Sequence, residues 1–408
     1  MQTVSKKEMQ LVQGGNVTTP QGFFAGGLHC GIRKTKLDLG WLYSVVPATT
    51  AGVYTTNVFQ AAPLLVTQES ISNNNKIQAI LVNSGVANAC TGEQGLTDAY
   101  EMRRVFAEEM NISELDAAIA STGLIGVPLP IDKIKAGISR IHIDENTDAS
   151  KFEQAILTTD TCVKNAAVEF EVGGKKVTIG GAAKGSGMIH PNMATMLSFV
   201  TTDAAVKEQD LADALKDITN QSFNMITVDG DTSTNDMVLV MANGKANNET
   251  LTKESHDWPV FVNGLKKVCQ ILAKKIARDG EGATKLIEVQ VNGAATDVAA
   301  RAISKAIISS NLVKAAIYGA DPNWGRIVTA IGYSGQQVNP NNVKVAIGSI
   351  TVVDNGLPLS FDEEKAKDYL SNETINIYVD LKQGNTTATG WGCDLSYDYV
   401  KINASYRT

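Results

Sequence analysis

Histidine is scarce in this chain, with four residues in 408: His29, His142, His190 and His256. None belongs to a His-Glu-x-x-His motif or to a paired His/Cys spacing, so no transition-metal site is expected. A Ser-His-Asp mechanism would have to use one of the four, and only His190 lies in a suggestive loop.

Paired cysteines and long apolar runs are also missing. The five cysteines are an odd number, lie far apart and form no Cys-x-x-Cys pair, which favours free, buried thiols in a reducing compartment. The N-terminal sequence lacks the apolar core of a signal peptide, and 18 apolar residues never occur in succession. We therefore expect a cytoplasmic protein with no membrane partner.

Basic tracts are absent as well. Acidic and basic residues are scattered and give a formal net charge of −7. Nucleic-acid binders carry clustered lysine and arginine, so nucleic acid is not an expected partner. The better candidates are small polar ligands.

Glycine is plentiful, with 35 residues against ten prolines, and Asn/Gly/Asp turns separate short β-rich runs. The strand candidates are Ile77–Val82, Val177–Ile179, Met196–Val200, Met237–Met241, Leu286–Val291, Val343–Ile347 and Ile375–Leu381. The helix candidates are Leu96–Met110, Glu208–Asn220, Val260–Arg278 and Val298–Ser309. These elements predict a mixed α and β fold with sheets covered by helices. Composition marks no domain boundary, and a glycine-rich loop is predicted over Gly180–Asn192.

That loop leads into the sequence GSGMIHPNMATMLSF, residues 185–199, where Thr195 begins an apolar run. One interpretation makes Thr195 the first residue of a buried strand. The other is that the Ala194–Thr195 bond is cut. A freed threonine carries a nucleophilic hydroxyl beside an α-amino group of unperturbed pKa about 7.7–8.0, which can act as general base near neutral pH.

Several other motifs carry candidate chemistry. The turn STGLIG, residues 121–126, offers the Thr122 hydroxyl and the Gly123 N–H as an oxyanion hole, although an ordinary turn fits equally. The KGSGM sequence has its lysine before the glycines and is no phosphate-binding loop. The acidic loops VDGDTSTND and ARDGEGATK are either solvated turns or sources of a carboxylate for a substrate amine. In the second case the carboxylate comes from Asp229, Asp231, Asp279 or Glu281, and Lys184 pairs with a substrate carboxylate.

Together these segments resemble the ornithine acetyltransferase family, also called glutamate N-acetyltransferase. The resemblance spans nearly the whole chain. It rests on eight ordered motifs: AGGLHCGIRKTKLDLGWLYS, NSGVANACTG, STGLIG, TTDTCVK, AAKGSGMIHPNMATML, VDGDTSTND, ARDGEGATK and GADPNWGR.

The resemblance implies self-cleavage between Ala194 and Thr195, giving an α chain of residues 1–194 and a β chain of residues 195–408 that form one intertwined catalytic unit. It implies an α/β fold, a sandwich of two β-sheets between helices. This fold is similar to that of N-terminal-nucleophile hydrolases but has different connectivity. The implied reaction is ping-pong. Thr195 takes acetyl from N-acetylornithine and passes it to glutamate, in the cyclic pathway of arginine biosynthesis.

Site residues follow from the same resemblance. Its oxyanion donors match Thr122 and Gly123. Its substrate contacts match Thr158, Lys184, Thr195, Glu281, Asn403 and Thr408. Either Thr158 or its neighbour Thr159 can face the pocket, VDGDTSTND has no assigned role, and His190 is interpreted as a spectator. Val86, Val163 and Ser405 depart from the family's common residues, and none of them stands at a catalytic match.

The resemblance implies no cofactor and leaves open whether acetyl-CoA also donates acetyl to glutamate. It implies a heterotetramer of two α and two β chains. Two other functions remain possible from the sequence: an N-terminal-nucleophile aminopeptidase or amidase that releases the acyl group to water, and a non-catalytic protein whose Ala194–Thr195 bond stays intact.

Overall fold

The computed structural model describes residues 9–144, 147–190 and 196–405, and these form two compact units. The first unit takes its described residues from 9–185, 196–220 and 232–272, and the second from 186–190, 221–231 and 273–405. Each unit contains a β-sheet with helices packed on it. The mixed α/β fold with two sheets, expected from the sequence, is confirmed.

The strands belong to one sheet or the other. Those of the first unit are β1 (Gln10–Leu11), β2 (Phe23–Leu28), β3 (Leu39–Tyr54), β4 (Lys76–Val86), β5 (Ala117–Leu124), β6 (Lys164–Val172), β7 (Lys175–Lys184), β8 (Leu197–Thr202) and β10 (Met237–Ala242). Those of the second unit are β9 (Ile226–Thr227), β11 (Leu286–Ala294), β12 (Lys344–Ile347), β13 (Ile350–Asp354), β14 (Leu357–Pro358), β15 (Thr374–Asp380) and β16 (Thr386–Cys393).

In the first sheet the order over the described residues is β1-β6-β7-β8-β10-β3-β4-β5, with β2 paired to β3. Strands β8 and β10 are parallel, with Leu197 opposite Met237, and every residue of both is buried. Continuous apolar runs are typical of strands that are covered on both faces. Because β8 also pairs with β7, Leu197 lies opposite Lys184. The segment that follows Thr195 therefore enters the middle of the sheet.

Strand β3 is 16 residues long and was not predicted from the sequence. It pairs with β10, β2 and β4, so the sheet is built around it. Its ladder with β4 is interrupted between Tyr43 and Ala48, where Pro47 lies. Proline has no N–H to donate and is tolerated at such interruptions. The proline and the polar residues around it hide the strand in the sequence.

The loop predicted over Gly180–Asn192 is wrong in its first five residues, because residues 180–184 belong to strand β7. Small residues are required there. A Cβ on Gly180 would lie 2.0 Å from the Asn16 carbonyl oxygen, and one on Gly181 would lie 2.9 Å from Leu272 Cδ1. These glycines are needed because Asn16 and Leu272 pack closely against the strand. They do not indicate a turn.

The helices cover the sheets. They are α1 (Ala62–Asn74), α2 (Gly92–Glu109), α3 (Ile131–Ile138), α4 (Ala149–Ala155), α5 (Glu208–Thr219), α6 (Trp258–Arg278), α7 (Asp297–Ser309), α8 (Asn311–Tyr318), α9 (Trp324–Gly332), α10 (Glu363–Leu370) and α11 (Tyr397–Asn403). In the first unit α4 packs on β2 and β3, where Phe152 meets Phe199 edge to face with ring centroids 5.6 Å apart. Both rings are buried, and such a pair adds about 0.5–1.5 kcal/mol beyond the area it removes from water.

The second sheet has the order β14-β13-β12-β15-β11-β16-β9 over the described residues. Helix α7 packs on β11 and β16 through a buried face that includes Ala300, Ile303 and Ile307. The helix begins where the Thr296 hydroxyl accepts the Ala299 N–H, an N-cap that supplies one unpaired backbone donor with an acceptor. This sheet and helix form the core of the second unit.

The seven predicted strands and four predicted helices are all present, with ends shifted by up to five residues. Among the helices of the described residues, none has the length and apolar character that crossing a membrane requires. All five cysteines are free, but the expectation that they are buried is wrong for three of them: Cys90 and Cys162 are exposed and Cys30 is partly exposed. The two compact units do not coincide with residues 1–194 and 195–408. That division concerns covalent chains and stays a prediction.

We predict that Gly180→Ala destabilises the protein by about 1–3 kcal/mol, because the added methyl group cannot fit against the Asn16 carbonyl oxygen. The matched control is Gly332→Ala, at the end of α9, where a Cβ meets nothing within 4 Å. That change should be neutral or stabilising by up to about 1 kcal/mol. Urea unfolding of both variants measures the difference, and equal midpoints would contradict the packing at Gly180.

Candidate active site

Lys184 is the central charge of the candidate site in the first unit. It is the last residue of β7 and is only 8% exposed. Its ammonium donates to the Thr158 hydroxyl at 2.8 Å and to the Thr122 hydroxyl at 3.1 Å. The structure therefore brings together three of the predicted site residues from three different segments of the chain.

Gly123 fixes the backbone at the end of β5. Its φ is +134°, and it pairs with Gly85 of β4. A Cβ on Gly123 would lie 2.2 Å from the Gly85 carbonyl carbon, so only glycine fits. The Thr122–Gly123 peptide is thereby held rigidly beside the Lys184 ammonium, the preorganisation that an oxyanion hole needs.

Asn235 fixes the same region from another direction. Its side-chain amide donates to the Ala87 carbonyl at 2.6 Å and to the Ser121 carbonyl at 2.8 Å, and it is buried. Asn235 belongs to the motif VDGDTSTND, which had no role assigned from the sequence. In the structure the end of this motif ties the loop after β4 to the strand that carries Thr122.

Thr158 and Thr159 were equivalent from the sequence. The structure directs the Thr158 hydroxyl to Lys184, and the Thr158 N–H donates to Asp160 Oδ2 at 3.0 Å. The Thr158 carbonyl accepts from the Arg33 guanidinium at 3.2 Å. Thr158 is thus held at its amide, its carbonyl and its hydroxyl, whereas its contact with substrate stays a prediction.

Asp160 and Lys164 form a buried ion pair beneath this site, and neither was predicted. Both side chains are fully buried, and Lys164 Nζ lies 2.6 Å from Asp160 Oδ1. The same oxygen accepts the Gly185 N–H at 2.6 Å. Burial opposes ionisation, but the Lys184 and Lys164 ammonium groups outweigh it and hold the pKa of Asp160 below its usual range. The i, i+4 spacing in TTDTCVK was the only sequence signal.

Asp236 is a second carboxyl that sequence reasoning missed. It directly precedes β10, and it is 2% exposed. The next residue, Met237, donates its N–H to the Met196 carbonyl at 2.8 Å, so Asp236 stands beside the residue that follows Thr195 in sequence. Its Oδ2 atom is buried and has no hydrogen-bond partner among residues 9–144, 147–190 and 196–405. Burial raises the pKa of Asp236 well above its usual range, against the smaller effects of Ser233 and Lys184.

The second unit brings two other predicted residues together. Asn403, at the end of α11, donates to Glu281 Oε2 at 2.7 Å. Glu281 is 6% exposed, and its N–H donates to the Ser186 carbonyl at 2.9 Å. Its carboxylate packs on Gly187, where a Cβ would lie 2.4 Å from Glu281 Cδ. Glu281 is therefore held against the glycine-rich segment that precedes the candidate nucleophile in sequence.

Asp229 holds the same segment by its backbone. Its carboxylate accepts the Met188 N–H at 2.6 Å and the Ile189 N–H at 2.8 Å, and the Tyr399 hydroxyl also bonds to it. Burial, followed by this carboxylate, raises the pKa of Tyr399. Because these donors already occupy both oxygens of Asp229, it is a poorer candidate than Glu281 for binding a substrate amine.

His190 lies in the second unit and bonds through Nδ1 to the Thr227 hydroxyl at 3.0 Å. Burial, aided by the nearby Lys305 ammonium, lowers the pKa of His190 to about 4. It is therefore neutral at neutral pH.

Ala194, Thr195 and Thr408 lie outside the described residues, and so does the predicted cleavage point between Ala194 and Thr195. Within the described residues no three His, Cys, Asp or Glu side chains converge as metal ligands do.

We predict that Asp160→Asn destabilises the protein by about 3–5 kcal/mol at pH 7, because it removes the carboxylate that pairs with the buried Lys164 ammonium. The control is Glu169→Gln, which breaks the more exposed pair with Lys176 and should cost less than about 1 kcal/mol. Since the folded-state pKa of Asp160 is lowered, its contribution is present above about pH 4 and is lost as the carboxyl protonates in acid. Urea unfolding at several pH values tests both points.

Asp236→Asn is predicted to have the opposite effect. Because the folded-state pKa of Asp236 is raised, the folded protein keeps a proton that the unfolded chain loses above about pH 4. The resulting cost is absent in acid and grows as the pH rises, so the asparagine variant should be more stable than the parent at pH 7–8 and equal to it near pH 4. Thermal unfolding across this range measures the difference. A stabilisation that is independent of pH would show that Asp236 is not a protonated carboxyl.

Comparison with known proteins places this geometry in a family. The family model described as "ArgJ family" matches residues 24–408. A relative from Oceanobacillus iheyensis, named arginine biosynthesis bifunctional protein ArgJ, is 58% identical over the whole of both chains. The protein of the same name from Bacillus subtilis is 55% identical over 99% of this chain and all of its own. A crystal structure of the Bacillus halodurans protein is 59% identical with a TM-score of 0.51, and 52% of this chain covers all of that one. The chain belongs to the ArgJ family.

Proposed function

We propose that this protein is a glutamate N-acetyltransferase that moves an acetyl group from N2-acetyl-L-ornithine to L-glutamate in arginine biosynthesis. The observation that carries the proposal is the convergence of Lys184, Thr122 and Thr158 beside Gly123. Lys184 also lies opposite the start of the strand that follows Thr195. The curated relatives, which are named for arginine biosynthesis, support the same conclusion.

Thr195 is the proposed nucleophile, set free by self-cleavage of the Ala194–Thr195 bond. Two facts support this. Strands β8 and β10 lie after the cleavage point and pair with β7 and β3 from before it, so the first sheet would hold the two chains together. Residues 195–408 number 408 − 194 = 214, which is 52% of the chain. The match to the Bacillus halodurans structure also covers 52% of this chain, and it covers all of that structure's chain.

The proposed chemistry has two matched half-reactions. The Thr195 hydroxyl oxygen attacks the acetyl carbonyl carbon of N-acetylornithine while its proton passes to the Thr195 α-amine. The developing alkoxide is stabilised by the Thr122 hydroxyl and the Gly123 N–H. The C–N bond then breaks, and the leaving amine takes the proton. In the second half-reaction the glutamate amine attacks the acetyl ester, and its proton returns to the threonine oxygen.

Substrate recognition is proposed to use one cation and one anion. Lys184 pairs with the α-carboxylate, and Glu281 pairs with the ornithine ammonium. The other proposed contacts are Thr158, Asn403 and Thr408. Support for Glu281 comes from its burial and from its hydrogen bond with Asn403.

The remaining properties are proposed from the resemblance. We infer a cytoplasmic heterotetramer of two α and two β chains that needs no cofactor and no metal. Acetyl-CoA is a candidate second acetyl donor for glutamate, an amino-acid N-acetyltransferase activity in keeping with the relatives' name "bifunctional". An acetyl-CoA-dependent glutamate assay tests this second activity directly.

We predict that Thr195→Ala remains one chain of 43.4 kDa and loses acetyl transfer by about 10³-fold or more, because the nucleophile is gone. Mass spectrometry of the parent should show two chains, one beginning Thr-Met-Leu-Ser. Thr97→Ala, on the exposed face of α2, is the matched control and should cleave and transfer normally. An uncut parent with full activity would refute the proposed nucleophile.

A second measurement separates transfer from hydrolysis. Ornithine release from N-acetylornithine should continue beyond one equivalent per Thr195 only when glutamate is present. Steady release without glutamate would instead assign the protein as an aminopeptidase or amidase, in which water deacylates the enzyme.

A further inference from the structure

We propose that Arg33 binds the side-chain carboxylate of the acceptor amino acid and so determines its specificity. This inference rests on the proposed function, in which the acceptor carries two carboxylates and Lys184 supplies one cation. Nothing in the sequence analysis gave Arg33 a role. Arg33, Thr158 and Lys184 all belong to the first unit.

Arg33 is held by a loop that closes on one buried carboxylate. Asp38, fully buried before β3, accepts the N–H groups of Cys30 at 2.6 Å, Gly31 at 3.2 Å and Arg33 at 2.9 Å. Three backbone donors on a single carboxylate leave the loop little freedom. The Arg33 side chain therefore starts from a fixed position.

Among the described residues, the Arg33 guanidinium donates hydrogen bonds to two backbone carbonyls. Nη1 donates to the Leu157 carbonyl at 2.7 Å, and Nη2 donates to the Thr158 carbonyl at 3.2 Å. A guanidinium has five N–H donors, so more than half remain for a ligand. No carboxylate pairs with Arg33 within the described residues, and the side chain is partly exposed. A positive charge with free donors and no counter-ion suits an anionic ligand.

Thr158 connects this charge to the candidate site. Its carbonyl binds Arg33, and its hydroxyl binds Lys184 at 2.8 Å. The Arg33 stem also crosses Gly85, where a Cβ would lie 3.2 Å from Arg33 Cγ, and Gly85 is the partner of Gly123 in β4–β5 pairing. The two cations therefore stand on either side of a single residue, next to the proposed oxyanion donors.

Two cations that bond to the same residue, Thr158, match a ligand with two carboxylates better than a ligand with one. Glutamate has a carboxylate at the end of its side chain, whereas the donor, N-acetylornithine, has an ammonium there. A guanidinium binds a carboxylate through two parallel hydrogen bonds and repels an ammonium. Arg33 thus favours the acceptor in the second half-reaction and offers no charge pair to the side chain of the donor.

The test compares glutamate with glutamine, which has the same shape and an uncharged side chain. For Arg33→Gln we expect the ratio of kcat/KM for glutamate to kcat/KM for glutamine to fall by about tenfold or more, the loss of a charge-assisted hydrogen bond. In a ping-pong reaction the kcat/KM of an acceptor depends only on the second half-reaction, so any slowing of the donor step through Thr158 leaves this ratio unchanged. A variant that loses activity equally with both acceptors would show that Arg33 only positions Thr158, and the inference would be wrong.

Arg140→Gln is the matched control. Arg140 also donates to two carbonyls, those of His29 at 2.8 Å and Ala136 at 3.2 Å, but neither belongs to the Thr158 segment. For Arg140→Gln the ratio of kcat/KM for glutamate to kcat/KM for glutamine should equal that of the parent. An equal fall of the ratio in both variants would reflect net charge and would contradict a specific contact at Arg33.

Arg33→Lys keeps the charge and provides a second test if the glutamine variant fails to fold. Lysine places its charge on a shorter side chain, so preference should move from glutamate towards 2-aminoadipate, whose side chain has one more methylene. A ratio of these two acceptors identical to that of the parent would overturn the inference. If the parent itself releases no ornithine from N-acetylornithine, the proposed function fails instead, and the two failures are told apart.

Discussion

The hydrogen bonds of the Lys184 ammonium to Thr122 and Thr158 are the interactions on which the candidate site depends. They join the end of β7 to the end of β5 and to the loop that contains Thr158, 26 residues before Lys184. A lysine that is 8% exposed needs such partners, because an ammonium group taken out of water is costly unless its donors are satisfied. A carboxylate ligand would complete this arrangement.

The surroundings of Lys184 are built to keep that geometry. Beneath it the Asp160–Lys164 pair fixes the Thr158 and Gly185 amides. Beside it Asn235 bonds to the Ser121 carbonyl, and the glycine pair of β4 and β5 leaves no room for displacement. Such support by neighbours is what distinguishes a preorganised site from polar residues that happen to meet. Asp236 adds a buried carboxyl, whose pKa burial raises, at the point where β10 meets the strand after Thr195.

Charge balance links the site to the substrates. The first unit offers the Lys184 and Arg33 cations on either side of Thr158, and the second unit offers Glu281 with its Asn403 partner. An enzyme that exchanges an amino acid with a cationic side chain for one with an anionic side chain needs a carboxylate for the first and a cation for the second. Burying unpaired charge is costly, so in the proposed reaction each of these groups would also discriminate against the wrong side chain.

The sequence by itself determined the fold class, the seven strands and four helices with strong apolar patterns, and the family through its eight ordered motifs. It also identified Lys184, Thr122 and Gly123, because the motifs preserve local order. It could not find β3, whose Pro47 and polar residues break the pattern, and it took the glycines of β7 for a loop, because packing against Asn16 is not visible in sequence. Only the tertiary structure shows that the Thr158 hydroxyl bonds to Lys184, and only it revealed Asp160, Asp236 and Arg33. The role of each depends on burial and on partners far away in the chain, which local pattern does not record.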